Sequence, residues 1–121
     1  MKPLLTTQLA AFSERFLNFK DAEWRSLEVV SPFVMRVTFA VQDSARAYDW
    51  ITVSLEFNGV NDAKLLQENK ISFIDMSEGI SLINYENSFA FGIGECYNIS
   101  TIKSSSCFIV ATTLKYEEGL F

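Results

Sequence analysis

The residue types that perform most enzyme chemistry are scarce in this chain. It contains no His, which excludes Ser–His and Cys–His nucleophilic pairs and removes the commonest metal ligand. No G-x-S-x-G motif or phosphate loop occurs, and no S-x-x-K motif falls in a predicted helix. Paired carboxylates remain as a general acid and base, with Glu56 and Glu86 as outward-facing candidates. We predict no catalytic residues, although an enzyme using carboxylates alone stays open as an alternative.

Metal and cofactor chemistry find no better support in the sequence. A Ca²⁺ loop needs oxygen ligands alternating around a Gly, and the stretches NGVND and DMSEG carry too few of them. The G-x-G in FGIGE lacks a third Gly and falls between two predicted strands, so we interpret it as a turn. We therefore predict no metal site and no cofactor.

The charged residues are unevenly distributed. Residues 1–70 hold nine acidic and eight basic side chains, whereas residues 71–121 hold six acidic and two basic ones. No Lys or Arg occurs between Lys70 and Lys103. With a net charge of −5 the chain repels phosphates, so we expect no nucleic-acid partner. An acidic surface is suited to a basic protein partner.

The carboxylates of the acidic segment lie in or beside predicted hairpin turns. Alternate hairpin turns emerge at the same end of an antiparallel sheet, because each strand reverses the direction of the chain. Asp75 and Glu78 flank one turn, and Glu95 flanks a turn two connections later. These three side chains are therefore predicted to share one rim of the sheet.

Further candidates lie away from that rim. Glu86 falls at the intervening turn with Tyr85, Asn87 and Phe89, so we expect it at the opposite end of the sheet. Trp50 shares a strand face with polar residues and is a candidate anchor, since aromatic residues are enriched at interaction hot spots. The predicted partner-binding residues are Asp75, Glu78, Glu95, Glu86, Tyr85 and Trp50.

An N-terminal helix is the first element that would position these residues. Leu9, Phe12, Phe16 and Phe19 recur at spacings of three and four, which predicts a helix over residues 6–20 with one apolar stripe. Such a helix is marginal alone, so the stripe must pack on another element.

The rest of the chain has the two-residue period of β-strands. The stretches WRSLEVVS, PFVMRVTFAV and DWITVSLEF are predicted strands, and the last two should pair around the polar turn DSARAYD. NGVND is predicted to be a turn or a bulge. ISFIDM, ISLINYE, SFAFGI, CYNISTI and CFIVATTLKY complete the predicted strands. In PFVMRVTFAV, alternation places Phe33 on the buried face with Met35 and Val37.

These elements predict one α+β domain covering residues 1–121. A helix at 6–20 packs on a bent, mainly antiparallel sheet of six to eight strands over residues 24–116, followed by a frayed tail at 117–121. Trp24, which comes just after the helix, is predicted to belong to the core. The sequence does not indicate which face of the sheet the helix covers.

The cellular setting is predicted from the absence of other signals. No apolar run reaches the length of a membrane helix and no secretory leader is apparent, so we expect a cytoplasmic protein without membrane contact, as a monomer or weak dimer. Cys96 and Cys107 are predicted to be free thiols, because pairing CYNISTI with CFIVATT in a hairpin would keep them too far apart for a disulfide.

One segment resembles a known class of proteins. DWITVSLEFNGVNDAKLL is similar to a core of small bacterial immunity proteins of polymorphic-toxin and contact-dependent inhibition systems, and ISFIDMSEGISL is similar to the next segment of such proteins. The resemblance covers residues 49–83. The matching positions are Trp50, Leu55, Phe57, Gly59, Val60, Asp62, Leu65 and Leu66. It implies a compact, non-catalytic protein that neutralises a cognate toxin, often a basic nuclease, by covering its active or substrate-binding site.

The favoured hypothesis is therefore a non-catalytic binding protein, in particular an immunity protein against a basic toxin. The main alternative is a small-ligand binding domain, in which a curved, Phe-rich sheet encloses an apolar pocket under the helix. An oligomeric accessory protein with exposed apolar surface is a third possibility.

Overall fold

The computed structural model describes all residues, 1–121, and shows an α+β domain built on one seven-stranded sheet. The strands are β1 (Lys2–Leu4), β2 (Glu23–Ser31), β3 (Val34–Asp43), β4 (Asp49–Lys64), β5 (Ile80–Tyr85), β6 (Ser88–Ile93) and β7 (Phe108–Gly119). Their order is β2-β3-β4-β7-β6-β5, all neighbours are antiparallel, and β1 also pairs with β7. The helices are α1 (Leu9–Arg15) and α2 (Ile99–Lys103). The predicted fold class is confirmed.

The N-terminal helix is shorter than predicted, although its apolar stripe is buried as expected. A 3₁₀ turn at Thr6–Gln8 precedes α1, and a second at Leu17–Phe19 comes after it. Residues 17–19 have left-handed φ angles of 55–60°, which no α-helix can contain. This turn packs against Gly79, where a Cβ would collide with the Asn18 carbonyl. Tertiary packing therefore ends the helix at Arg15, so the predicted N-terminal helix exists but its predicted end at residue 20 was wrong.

The central hairpin has the predicted alternation. Val37 pairs with Leu55 and Phe39 with Val53, and all four side chains are fully buried on the face covered by α1. Phe33 is an exception, since its side chain is 67% exposed beyond the start of β3. Strand β4 continues past the predicted turn to Lys64. Of the two structures predicted for NGVND, a turn or a bulge, the bulge is observed, because the register with β7 shifts between Val60 and Asp62.

Two predicted strands are partly helical instead. The first half of ISFIDM lies in a 3₁₀ helix at Glu68–Phe73, which buries Ile71 and packs against the outer strand β2. CYNISTI leads into α2, whose first turn is capped where Asn98 Oδ1 accepts a 2.9 Å hydrogen bond from the Thr101 amide. The spacing of Asn98 and Thr101 is a helix-start signal, and it outweighed the β-branched residues that suggested a strand.

The sheet is covered on both faces at one end. A core of 27 buried residues lies on the α1 side and includes the predicted stripe and Trp24. A second cluster lies under α2 on the other face and consists of Ala90, Cys96, Ile102, Phe108 and Val110. The two faces result from strand alternation, because Phe91 pairs with Ile109 in the first core and Ala90 with Val110 in the second.

The cysteines are free and buried, as predicted, but the hairpin used to predict this does not exist. Cys107 belongs to the core under α1 and Cys96 to the cluster under α2, so the sheet lies between their environments. Burial raises the pKa of the Cys107 thiol to about 11. These thiols act as small core residues.

The C-terminal tail is ordered rather than frayed. Residues Glu117–Gly119 extend β7, and the Phe121 ring packs 6.0 Å from that of Trp50 and beneath the Arg25 guanidinium at 4.7 Å. The prediction of a frayed tail at 117–121 was wrong. The contact between Phe121 and Trp50, which are far apart in sequence, could not be read from the sequence.

Candidate functional site

The structure divides the six predicted binding residues among separate places. Glu78 and Glu95 lie together at one end of the β5–β6 hairpin, and Asp75 is in the loop just before Glu78. Glu86 and Tyr85 lie at the opposite end of that hairpin. Trp50 lies at the start of β4 beside the C-terminal tail.

Two glycines bring Glu78 and Glu95 together. Ile80 pairs with Ile93, so the chain segments that enter β5 and leave β6 lie side by side. Gly79 and Gly94 both have left-handed φ angles, +71° and +84°, and the Gly94 amide donates a 2.8 Å hydrogen bond to the Gly79 carbonyl. Only Gly adopts such angles without strain, so this local pairing fixes the two glutamates as neighbours.

Tyr97 completes this end of the hairpin and was missed in the sequence. Its hydroxyl donates a 2.9 Å hydrogen bond to Glu95 Oε2, while its side chain is 80% exposed. The accepting carboxylate of Glu95, and the nearby charge of Glu78, raise the pKa of the Tyr97 phenol. The alternation of Glu95 and Tyr97 was visible, but CYNISTI was predicted to be a strand, which hid their role beside a turn.

A groove connects this end to the N-terminal helix. It encloses about 560 Å³ between α1 and β5, and Glu78, Glu95 and Tyr97 lie at one end of it. The helix wall presents the short side chains of Ala10 and Ser13. We call this feature, lined by α1, β5 and these three residues, the acidic groove.

The glutamates of the acidic groove have no basic partner within the molecule. The structure has seven ion pairs at 4.0 Å or less, and none includes Asp75, Glu78, Glu86 or Glu95. Lys20 lines the same groove without pairing with either glutamate, which leaves the groove one negative charge in excess. Two adjacent carboxylates without a neutralising neighbour can stabilise a cation supplied from outside.

The remaining predicted residues are less suited to the same contact. Asp75 accepts a 2.9 Å hydrogen bond from the Ser77 amide, which lowers the pKa of its carboxyl and shapes the loop. Glu86 and Asn87 form a two-residue hairpin turn with positive φ, and Phe89 is buried. Glu86 therefore lies at the end of the hairpin opposite Glu78 and Glu95, as predicted, and does not contribute to the groove.

Trp50 is partly exposed and has an internal partner. Its side chain is 42% exposed, and it lies against Phe121 on the face away from α1. Strands β7 and β6 lie between β4, which carries Trp50, and β5, which lines the acidic groove. Trp50 is therefore not part of the groove.

A charge network elsewhere was not predicted. The Asp43 carboxylate is fully buried and accepts two hydrogen bonds from Arg15, at 3.0 and 2.7 Å, and one from the Ala45 amide. Arg15 and Arg46 also reach Glu118 at 2.8 and 3.1 Å. The Arg15 guanidinium is the main reason why the pKa of Asp43 lies below its usual value. The network balances two cations against two anions and ties α1 to β3 and β7, which is a structural role.

The two carboxylates considered for acid–base chemistry, Glu56 and Glu86, lie on different elements of the sheet. Glu56, on β4, lies 3.7 Å from the Arg36 guanidinium and is paired in the sheet with Lys115 of β7. It does not lie beside Glu86. An S-x-x-K motif, Ser100–Lys103, does lie on a helix, contrary to the prediction. Its lysine is half exposed and forms an ion pair with Asp62 at 3.1 Å.

Two further observations describe what the molecule contains. No group of three or more Cys, Asp or Glu side chains is placed to hold a metal ion. Neither helix has the length and apolarity required to cross a bilayer.

In comparisons with known proteins, no family model, curated protein or solved structure matches this chain.

Proposed function

We propose that this chain is a non-catalytic binding protein that recognises a basic protein partner through the acidic groove. The observation that supports this most strongly is the pair Glu78 and Glu95, held together by Gly79 and Gly94 and lacking any basic partner of their own. Because neither carboxylate is engaged in an ion pair, an incoming Lys or Arg can form one with either glutamate.

The kind of partner is inferred from the resemblance of residues 49–83. On that basis we propose an immunity protein that acts in the cytoplasm and neutralises a basic toxin by covering its active or substrate-binding site. The carboxylates of the acidic groove would occupy positions that substrate phosphates take in a nuclease. An interface of standard size buries about 1,600 Å² in total, so the groove would be the centre of a larger contact.

The test uses proteins encoded next to this chain's gene, purified as candidate toxins. We expect one of them to bind 1:1 with nanomolar affinity, and we expect E78Q/E95Q to weaken that binding at least tenfold at low salt. The matched control is E86Q/E117Q, which removes the same charge from two exposed residues outside the groove and should leave affinity within twofold.

Equal loss of affinity in both double variants would show that net charge, and not the acidic groove, attracts the partner. If no protein encoded by a neighbouring gene is toxic, and none of those that bind is basic, the immunity assignment is contradicted.

A further inference from the structure

The acidic groove contains an unpaired strand edge as well as charge. Strand β5 ends the sheet on one side, with β6 as its single neighbour. At the other edge, the 3₁₀ helix Glu68–Phe73 packs against β2. Edge strands are usually protected in some such way, because their free N–H and C=O groups attract other chains. Strand β5 also contacts α1 and the turn at Leu17–Phe19, but no backbone hydrogen bond covers its outer edge, which lies along the groove.

The register identifies which backbone groups of β5 are free. Tyr85 and Ser88 flank a two-residue turn, so they exchange both of their hydrogen bonds. By alternation, Ser81 and Ile83 also bond to β6, whereas the amides and carbonyls of Leu82 and Asn84 point away from it. No hydrogen bond joins those outward groups to α1 or to any other segment.

The opposite wall of the groove leaves room for another chain. Thr6, Ala10 and Ser13 are the residues of the N-terminal helical segment that face the groove with short side chains. Ile80 and Leu82 line its floor, but both belong to the buried core and expose only 4% and 9% of their surface. The six residues of β5 span roughly 20 Å, which suits an added strand of about four to six residues.

We propose that the partner's contact segment is an extended peptide that adds to β5 as a further strand of the sheet. Its backbone pairs with Leu82 and Asn84, and a Lys or Arg at the end beside Ile80 reaches Glu78 and Glu95. This inference rests on the proposed function for the chemistry of the partner, and it adds the mode of recognition, in which backbone pairing gives affinity and the basic residue fixes the register.

The test begins with a display library of random octapeptides selected on the wild-type protein. We expect enriched peptides that alternate β-branched residues and carry Lys or Arg near one end. Two helix variants then form a matched pair: A10W fills the groove, and A11W adds the same bulk to the neighbouring exposed position outside it. A10W should reduce peptide affinity at least tenfold, and A11W should leave it within twofold.

A second arm needs no protein variant. The best peptide is synthesised twice, N-methylated at alternate residues in the two registers. Strand addition predicts that one methylated form loses at least tenfold in affinity, because its hydrogen bonds to β5 are removed, while the other binds as before.

Each of the other outcomes overturns the proposal. Equal binding by A10W and A11W, equal binding of the two methylated peptides, or no enriched peptide would refute strand addition. A wild-type dimer in sedimentation that A10W converts to a monomer would identify a second copy of this chain as the occupant. If E78Q/E95Q still weakens binding of the basic partner while A10W does not, the proposed function stands and strand addition alone fails.

Discussion

The substitution Asp43→Asn tests the charge network that fixes α1 on the sheet. Asn keeps the shape of the side chain but removes the charge that faces Arg15 and Arg46. Breaking a buried ion pair costs about 3–5 kcal/mol, because the remaining charge loses its partner. Since Arg15 is 28% exposed and keeps its contact with Glu118, we expect the lower end, about 3 kcal/mol.

Urea unfolding at neutral pH measures this change. With a slope of about 2 kcal/mol per molar for a chain of this size, a loss of 3 kcal/mol lowers the midpoint by roughly 1.5 M. A domain of 121 residues is stable by roughly 6–18 kcal/mol, so the variant should still fold. The control E117Q removes an exposed carboxylate from the same end of β7 and should change stability by less than about 0.5 kcal/mol.

The pH dependence gives an independent check. The pKa of Asp43 is lowered in the folded state, so its stabilising contribution is fully present above the unfolded-state value near 3.9 and is lost as pH falls through the folded-state value. The difference in stability between wild type and D43N should therefore shrink as pH falls below about 4. A difference under 0.5 kcal/mol at pH 7, or one that stays constant into acid, would refute the assigned role of the network.

Two other predictions concern the scaffold. The substitutions Gly79→Ala and Gly94→Ala both place a side chain at a left-handed φ, which costs about 1 kcal/mol, but only at Gly79 does the new Cβ collide with backbone, at Asn18. Thermal melts should therefore show G79A destabilised by at least 2 kcal/mol more than G94A. Equal melting of the two variants would contradict the packing of the turn at residues 17–19 against Gly79. Cys107 is fully buried with a pKa of about 11, so iodoacetamide at pH 8 should modify it at least a hundredfold more slowly in the native protein than in urea, and comparable rates by mass spectrometry would show an accessible thiol.

The parts of the fold that the sequence predicts are those governed by local pattern. The two-residue alternation around Val53 and Leu55 assigned both faces of the central hairpin correctly, because a half-buried strand imposes that period. The 3.6-residue stripe likewise identified the buried Phe residues of the N-terminal segment. It could not show that the chain leaves the helix after Arg15, since the turn at residues 17–19 depends on packing against the distant Gly79.

The placement of the candidate residues was predicted in part. Glu78 and Glu95 lie at one end of the β5–β6 hairpin and Glu86 at the other, as expected, although the strands predicted before Glu78 and after Glu95 do not exist. The groove could not be foreseen, since it depends on where α1 lies relative to β5.

Contacts between residues far apart in sequence were also invisible. Arg15 bonds to Asp43 and to Glu118, which lie 28 and 103 positions further along the chain, and charges alone do not reveal which of many pairs will meet. The helix α2 was a different kind of miss, because Asn98 and Thr101 carried a capping signal that β-branched neighbours concealed.

The association rate with the basic partner, measured from 20 mM to 500 mM NaCl, tests the central claim most directly. Charges at the acidic groove act over about 10 Å at 0.1 M salt, so the wild-type rate should fall steeply with ionic strength. The E78Q/E95Q variant should start at least tenfold slower and show a shallower slope. Identical slopes for wild type and E78Q/E95Q would contradict recognition through these two carboxylates.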